Sequence, residues 1–166
     1  MILGIDPGMH HCGVCVYDPQ KDTVAWWAVR SFDMDSASVF RRSFEEVVCE
    51  MDAVVPHHLI DTVAIERQPP KNAQMLKMQH YLEMTVACLW PHVTVCVKIT
   101  PQRRLKYVRE NSTVPLDTST YGARKKASVA FVESWSRERD VAMPLARKTD
   151  DACEALLVAL VASTLL

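Results

Sequence analysis

Apolar residues in the first third of the chain fall in short runs separated by polar turns. Met1 to Asp6, Cys12 to Tyr17 and Thr23 to Phe32 each have the aliphatic, β-branched or aromatic content of a strand. Asp18-Pro19-Gln20-Lys21-Asp22 joins the last two with turn chemistry, so the pattern predicts a three-stranded meander. The period changes after Ser36. Phe40, Phe44, Val47, Val48, Met51 and Val55 recur at helical spacing, with Ser36 as a cap residue before them and Pro56 as the stop; His57-His58 are expected to end this helix. Thr62 to Glu66 reads as a short buried strand. Beyond Pro69-Pro70, a Met-rich helix is predicted over 73–90, ended by Pro91, and Val93 to Ile99 is a further strand. Helices are predicted over 101–110, 123–138 and 150–165, with a polar loop at 111–121.

Strands in a meander followed by helix, strand, helix, strand and more helices predict an α/β fold: one five-stranded mixed sheet with helices on both faces. The chain has 166 residues, 49% of them hydrophobic, which suits a single domain over 1–166 with an ordinary core. The longest apolar stretch, Ala155 to Leu166, falls short of the roughly 20 residues that span a bilayer, so a buried helix and no membrane partner are expected. Six cysteines without a signal-peptide pattern are expected to be reduced thiols of an intracellular protein in a reducing compartment, and a strand beginning at Ile2 leaves no room for a mitochondrial presequence.

The net charge of −1 argues against a nucleic-acid partner until its distribution is considered. Residues 1–66 carry 4 basic and 11 acidic side chains, a net of −7. Residues 98–126 carry Lys98, Arg103, Arg104, Lys106, Arg109, Arg124, Lys125 and Lys126 against Glu110 and Asp117, 8 minus 2, a net of +6. Such a basic segment is either a solvated helix face or a surface that holds phosphates.

The acidic residues that end apolar runs carry more information. Asp6 closes the first strand before Pro7-Gly8, Glu66 closes the fourth, and Asp150, Asp151 and Glu154 open the hydrophobic final segment. An ionised carboxylate in an apolar setting is costly unless compensated, and a divalent cation compensates it. Three regions of chain would then supply one anionic cluster, as two-metal phosphodiester hydrolysis requires. Each residue has a plainer reading. Asp6-Pro7-Gly8 has the form of a strand-to-turn signal, and Asp-x-Gly also opens the phosphate loop of actin-like ATPases and sugar kinases, folds that need far more chain. Asp151 with Glu154 has the spacing of a helix cap and its partner, a feature worth roughly 1 kcal/mol. Taken together with Asp6 and Glu66, the i,i+3 spacing that puts both carboxylates on one helix face favours ligation.

Ile5-Asp6-Pro7-Gly8 with Gly13, Ala64-Ile65-Glu66-Arg67-Gln68, Lys71-Asn72-Ala73 and Lys148-Thr149-Asp150-Asp151-Ala152-Cys153-Glu154-Ala155-Leu156 together resemble the RuvC-like Holliday junction resolvases over nearly the whole chain. Asp150-Asp151 after Lys148, and Glu-Arg-Gln after the fourth strand, resemble the branch of poxviruses, other large DNA viruses and fungal mitochondria. The resemblance implies an RNase H-like fold and a metal-dependent endonuclease that introduces paired symmetric nicks in four-way DNA junctions during recombination or replication. It implies two Mg²⁺ ions, replaceable by Mn²⁺, that activate a water and stabilise the departing 3′ oxygen, leaving 5′-phosphate ends. Asp6, Glu66 and Asp151 match metal ligands. Glu154 stands where the family usually has an aspartate, one methylene shorter, and Asp150 is the alternative fourth ligand. Lys106 matches a lysine at the scissile phosphate and Lys126 one on the DNA backbone; Arg103, Arg104, Arg124 and Lys125 complete the candidate DNA-binding set. Gln68-Pro69-Pro70 lacks the aromatic wedge of some relatives. Two cuts in a symmetric junction imply a homodimer, with helix 73–90 as the interface. Another RNase H-like nuclease, for flaps or RNA–DNA hybrids, and a non-catalytic nucleic-acid-binding module are the alternatives.

Cys12-Gly13-Val14-Cys15 beside His10-His11 has redox or zinc spacing. Three residues apart in a strand, however, the thiols point to opposite faces, and no second such pair exists, so both are expected to be buried strand residues. The Met75, Met78, Leu82 stripe with Trp90 reads as core or dimer interface rather than a cofactor site.

Overall fold

A computed structural model describes residues 1–8, 10–93, 95–113, 115–142 and 149–166, with Thr149 described by its backbone alone. Strand β1 (Ile2–Asp6) lies at the middle of a five-stranded sheet. It pairs antiparallel with β2 (Cys12–Asp18), which pairs antiparallel with β3 (Thr23–Arg30). On its other side β1 pairs parallel with β4 (Thr62–Glu66), which pairs parallel with β5 (Val95–Ile99). The order is therefore β3-β2-β1-β4-β5, the mixed sheet that the sequence predicts. The register sets Ile5 beside Ile65 and Asp6 opposite Gly13, so Asp6 and Glu66 emerge together at one edge.

The first helix, α1 (Ala37–Asp52), starts where Ser36 accepts a hydrogen bond from the Val39 amide at 3.2 Å. It ends before His57-His58, which lie in a separate 3₁₀ turn, His57–Leu59, and do not end the helix. The Asp52 carboxylate draws this turn in, reaching His57 Nδ1 at 2.6 Å. β3 stops at Arg30, two residues before its expected end, and Phe32 turns inward against Phe40, with ring centroids 5.1 Å apart. Helices α2 (Ala73–Leu89), α3 (Pro101–Asn111), α4 (Tyr121–Glu138) and α5 (Thr149–Ser163) follow, the loop between α3 and α4 being slightly shorter than expected. Among the described residues, no helix is long and apolar enough to cross a membrane.

The strand period of two sorts the sheet residues into two cores. Leu3, Ile5, Val14, Val16, Val63 and Ile65 pack with α1 and α2 through Phe40, Phe44, Met78, Leu82 and Trp90. Ile2, Cys15, Tyr17, Ala64 and Ile99 pack on the other face with Val132, Trp135 and nearly all of α5. Cys12 thus falls in the first core and Cys15 in the second, and all six cysteines are free. The Met75, Met78, Leu82 stripe of α2 is spent on this chain's own core.

Every residue of α5 from Ala152 to Ala162 is buried, and from Ala155 onward the helix is apolar all round, as a central helix must be. Its approach to the sheet is unusually close. A Cβ placed on Gly4 would come within 2.3 Å of the Ala155 carbonyl oxygen, and one on Gly13 within 2.0 Å of the Asp151 carbonyl oxygen. These two positions in β1 and β2 therefore set how near the first turns of α5 lie to the acidic edge of the sheet. Gly13→Ala should force the Asp151 turn outward, with a cost typical of overpacking, about 1–3 kcal/mol. A fall of several degrees in melting temperature is expected by calorimetry, whereas Gly122→Ala, where a Cβ would meet nothing, should have almost no effect.

Candidate metal centre and DNA cleft

Four carboxylates from three regions of chain converge at this edge. Asp6 and Glu66 are the last residues of two parallel neighbours, so strand pairing alone makes them adjacent. Asp151 and Glu154 lie three apart in α5 and face the strands from above. All four are buried, with relative exposures of 7–9%. Among the described residues, Asp6, Asp151 and Glu154 each offer an oxygen within 4.8 Å of the others. Asp151 is the third residue of α5, inside its first turn and not at the cap position, which removes the plainer explanation for the pair.

Arg104 reaches into this set from α3, a helix capped by Thr100 and opened by Pro101. Its Nη2 lies 3.1 Å from Glu154 Oε1 and its Nη1 3.5 Å from Asp6 Oδ1, and Nη1 also contacts Glu66 Oε2. Lys125 of α4 stands at the rim, 2.7 Å from Asp150 and 3.4 Å from Asp151. Asp150 is thereby paired with a lysine at the mouth of the site, while Glu154 points into the carboxylate cluster.

Four buried carboxylates face one buried guanidinium, and the proton affinities of Asp6, Glu66 and Glu154 are raised. Burial, reinforced by Glu66, raises Asp6 well above the usual carboxylate range. Burial raises Glu66 as well, with Arg104 opposing. Glu154 is pushed up to about 7, again by burial first, against the pull of Arg104. Burial would lower Lys125, but the hydrogen bond to Asp150 and the charges of Glu154 and Asp151 raise it overall. Hard oxygen donors, closely grouped and short of positive charge, fit a divalent cation of the Mg²⁺ or Mn²⁺ kind.

The carboxylates form the floor of a cleft of about 620 Å³ whose walls include Pro7, Gln68, Pro69, Tyr121, Arg124 and Lys125. Of the basic residues expected to bind DNA, Arg104, Arg124 and Lys125 line it, whereas Arg103, Lys106 and Lys126 are exposed outside. Lys106 is directed away from the acids and lies 3.6 Å from Glu110. The helical period explains this: Val108 faces the core, Arg104 is one turn before it on the same stripe, and Lys106 is half a turn off. That stripe was the sequence signal that Arg104, and not its neighbours, turns inward.

Behind Glu66 runs a chain of polar contacts that the sequence reading missed. Buried Gln79 accepts a hydrogen bond from the Gln68 amide at 2.8 Å and donates to Glu83 at 2.7 Å, and Glu83 pairs with Lys98 of β5 at 3.0 Å. The segment after β4 is thus fastened to α2. Gln79 interrupts the apolar stripe Met75, Met78, Leu82, Val86, and a polar residue on a buried stripe implies a buried partner. Lys148 of the final motif lies outside the described residues.

A profile of the family described as Poxvirus A22 protein matches residues 1–164. No curated protein sequence matches the chain significantly. Several solved structures share the fold. Thermus thermophilus RuvC in complex with Holliday junction substrate superposes with a TM-score of 0.65 at 17% identity, over 98% of this chain and 91% of that one. The yeast mitochondrial Holliday junction resolvase Ydc2 gives 0.62 at 13% identity, over 96% of this chain and 76% of that one. Fowlpox virus resolvase with substrate Holliday junction DNA gives 0.56 at 17%, over 99% of both chains. The chain therefore has the RuvC-type, RNase H-like fold.

The raised acids make stability depend on pH in a stated direction. A carboxyl that holds its proton more tightly when folded stabilises the fold fully below its unfolded value and loses that contribution as pH rises through the folded value. For Glu154 the window runs from 4.5 to about 7. In chelator, the melting temperature of the wild type should fall across this window relative to that of Glu154→Gln. Parallel curves for the two proteins would show that Glu154 is not charged against its environment.

Proposed function

The chain belongs to the poxvirus A22 protein family, and from that premise we propose that it is a Holliday junction resolvase, an endonuclease making paired symmetric nicks in four-way DNA junctions. The observation that carries this reading is the trio Asp6, Asp151 and Glu154, with oxygens within 4.8 Å of one another and Glu66 alongside. It lies on a fold shared with resolvases solved together with junction DNA. A non-catalytic binding module would have no need to bury four acids at the floor of a cleft that phosphates must enter.

Asp6, Glu66, Asp151 and Glu154 are the residues to hold the metal; Asp150 serves Lys125 instead. Two Mg²⁺ ions held by these residues, or Mn²⁺ in their place, would supply an acidified attacking water and charge relief for the departing 3′ oxygen, and the products would carry 5′-phosphate and 3′-hydroxyl ends. The protein's own part is placement. Lys125 holds the first turn of α5 through Asp150 and Asp151, and Arg124 beside it offers a cation to a phosphate entering the cleft. Arg103, Lys106 and Lys126 extend that basic surface along the exposed sides of α3 and α4, where they guide backbone phosphates without touching the scissile one. Pro69 and Asn72 also line the cleft. Six free cysteines suit work in a reducing compartment.

Two symmetric cuts need two such centres, and among the described residues the chain supplies one, so the working unit is a two-fold homodimer. The buried stripe of α2 is already occupied by the chain's own core, which leaves its outer side, where Met84 is 55% exposed, as the part of that helix available to a partner.

Asp6→Asn removes a ligand charge at constant volume, so nicking should fall by at least 10²-fold while junction affinity, resting on basic side chains, changes little. Labelled junction, flap, duplex and RNA–DNA hybrid substrates compared side by side should show the junction cut preferentially. Preference for the hybrid or flap would replace the resolvase reading with another RNase H-like nuclease, and near-normal cutting by the mutant would remove Asp6 from the metal site. Sedimentation of the full chain should give a dimer; a monomer both with and without junction would contradict the paired-cut scheme.

A further inference from the structure

Arg104 is a cation in the place where a metal should go. Its side chain is 12% exposed, against 73% for Lys106 on the same helix. It contacts three carboxylates, Glu154 at 3.1 Å, Asp6 at 3.5 Å and Glu66, and two of these belong to the trio that offers oxygens within 4.8 Å of one another. The pairing is nevertheless incomplete. Nη1 is divided between Asp6 and Glu66 while Nη2 goes to Glu154, so none of the three acids receives both nitrogens. A guanidinium fixed there for stability alone would be expected to engage its acids through aligned, bidentate bonds.

A hard cation and a guanidinium cannot share these oxygens at full strength. The metal needs the same lone pairs, and its charge repels Arg104 across a desolvated gap where repulsion is strong. We propose that Arg104 is a built-in competitor for the metal site: it holds Asp6, Glu66 and Glu154 in the metal-free protein and is released towards DNA phosphate when divalent cations bind. The destination follows from what surrounds it. The cleft beyond Arg104 is lined by Arg124 and Lys125, and Lys125 already answers Asp150 and Asp151, so a displaced guanidinium finds its anion in an entering phosphate. Metal and DNA then strengthen each other's binding, since each favours the released position of the same side chain. The inference rests on the nuclease reading for the identity of the metal ligands.

The test is a titration of Mn²⁺ into the DNA-free full chain, followed by calorimetry and by melting temperature, for wild type, Arg104→Gln and Arg104→Lys. Arg104→Gln should bind Mn²⁺ about tenfold more tightly, a typical coupling between linked sites. In chelator it should melt below wild type, because three buried acids lose their counter-charge, and its gain in melting temperature on adding Mn²⁺ should be the larger. Arg104→Lys, which keeps the charge but spreads it over fewer donors, should shift in the same direction by less, and it carries the test if the glutamine variant does not fold. Equal or weaker Mn²⁺ affinity in both variants overturns the proposal and leaves the nuclease reading intact. Failure of wild type and variants alike to bind Mn²⁺ overturns both. Release is read separately, from the salt dependence of junction binding. With Ca²⁺ present the wild-type slope should exceed that of Arg104→Gln by about one, and in chelator the slopes should coincide. The same difference under both conditions would mean that Arg104 reaches DNA without being displaced, and the proposal fails.

Discussion

The close seating of α5 on the sheet is the constraint from which the site follows. A helix normally stands off a sheet by the thickness of two layers of side chains. Here Gly4 and Gly13 remove one of those layers, and the carbonyls of Ala155 and Asp151 come down onto the strands. The carboxylates of Asp151 and Glu154 are thereby brought level with Asp6 and not left above it. From Ala155 to Ala162 α5 is apolar on every side and buried, so Asp151 and Glu154 stand at the polar first turns of an otherwise dry helix.

Dryness has an electrostatic consequence that governs the rest of the cleft. Burial raises the affinity of Asp6, Glu66 and Glu154 for protons, because a charge without water around it calls for compensation, and a proton and a metal cation compete to supply it. A surface cluster of identical composition would be screened and would hold a metal poorly. The stability given up by burying these acids is what makes the centre receptive. Arg104 limits that loss in the meantime, without balancing it.

The fold was legible because its elements are punctuated by residues with one structural meaning. Ser36 caps α1 as its position requires, Thr62 to Glu66 is a strand to the residue, and the cysteines of the Cys-x-x-Cys run separate to opposite cores through the period of two. Asp6 and Glu66 could be placed together because both end strands and β-pairing fixes the rest. Questions of helix placement were harder. Asp150 and Glu154 lie about one turn apart on the same side of α5, and which of them meets the strand carboxylates depends on where along its axis the helix crosses Gly13, a contact no local pattern encodes. Lys106 took the place of Arg104 in the sequence reading because a match of residue type outweighed a match of helical face. Gln79 went unnoticed because its partner, the amide of Gln68, is a backbone group whose need appears only once the turn after β4 is built.

Glu154 and Arg104 are best understood together. An aspartate at position 154 would end about 1.5 Å nearer to the helix, by the length of one carbon–carbon bond. At that length it would still face Asp6 and Asp151, which approach from the strand and from the preceding turn, but it would retreat from α3. The glutamate spans the remaining gap, contacting Arg104 at 3.1 Å while keeping an oxygen within 4.8 Å of the other two acids. The added methylene thus brings a third carboxylate, beside Asp6 and Glu66, to the cation carried by α3, so the position of α3 and the charge state of the centre are connected through the contacts of Arg104.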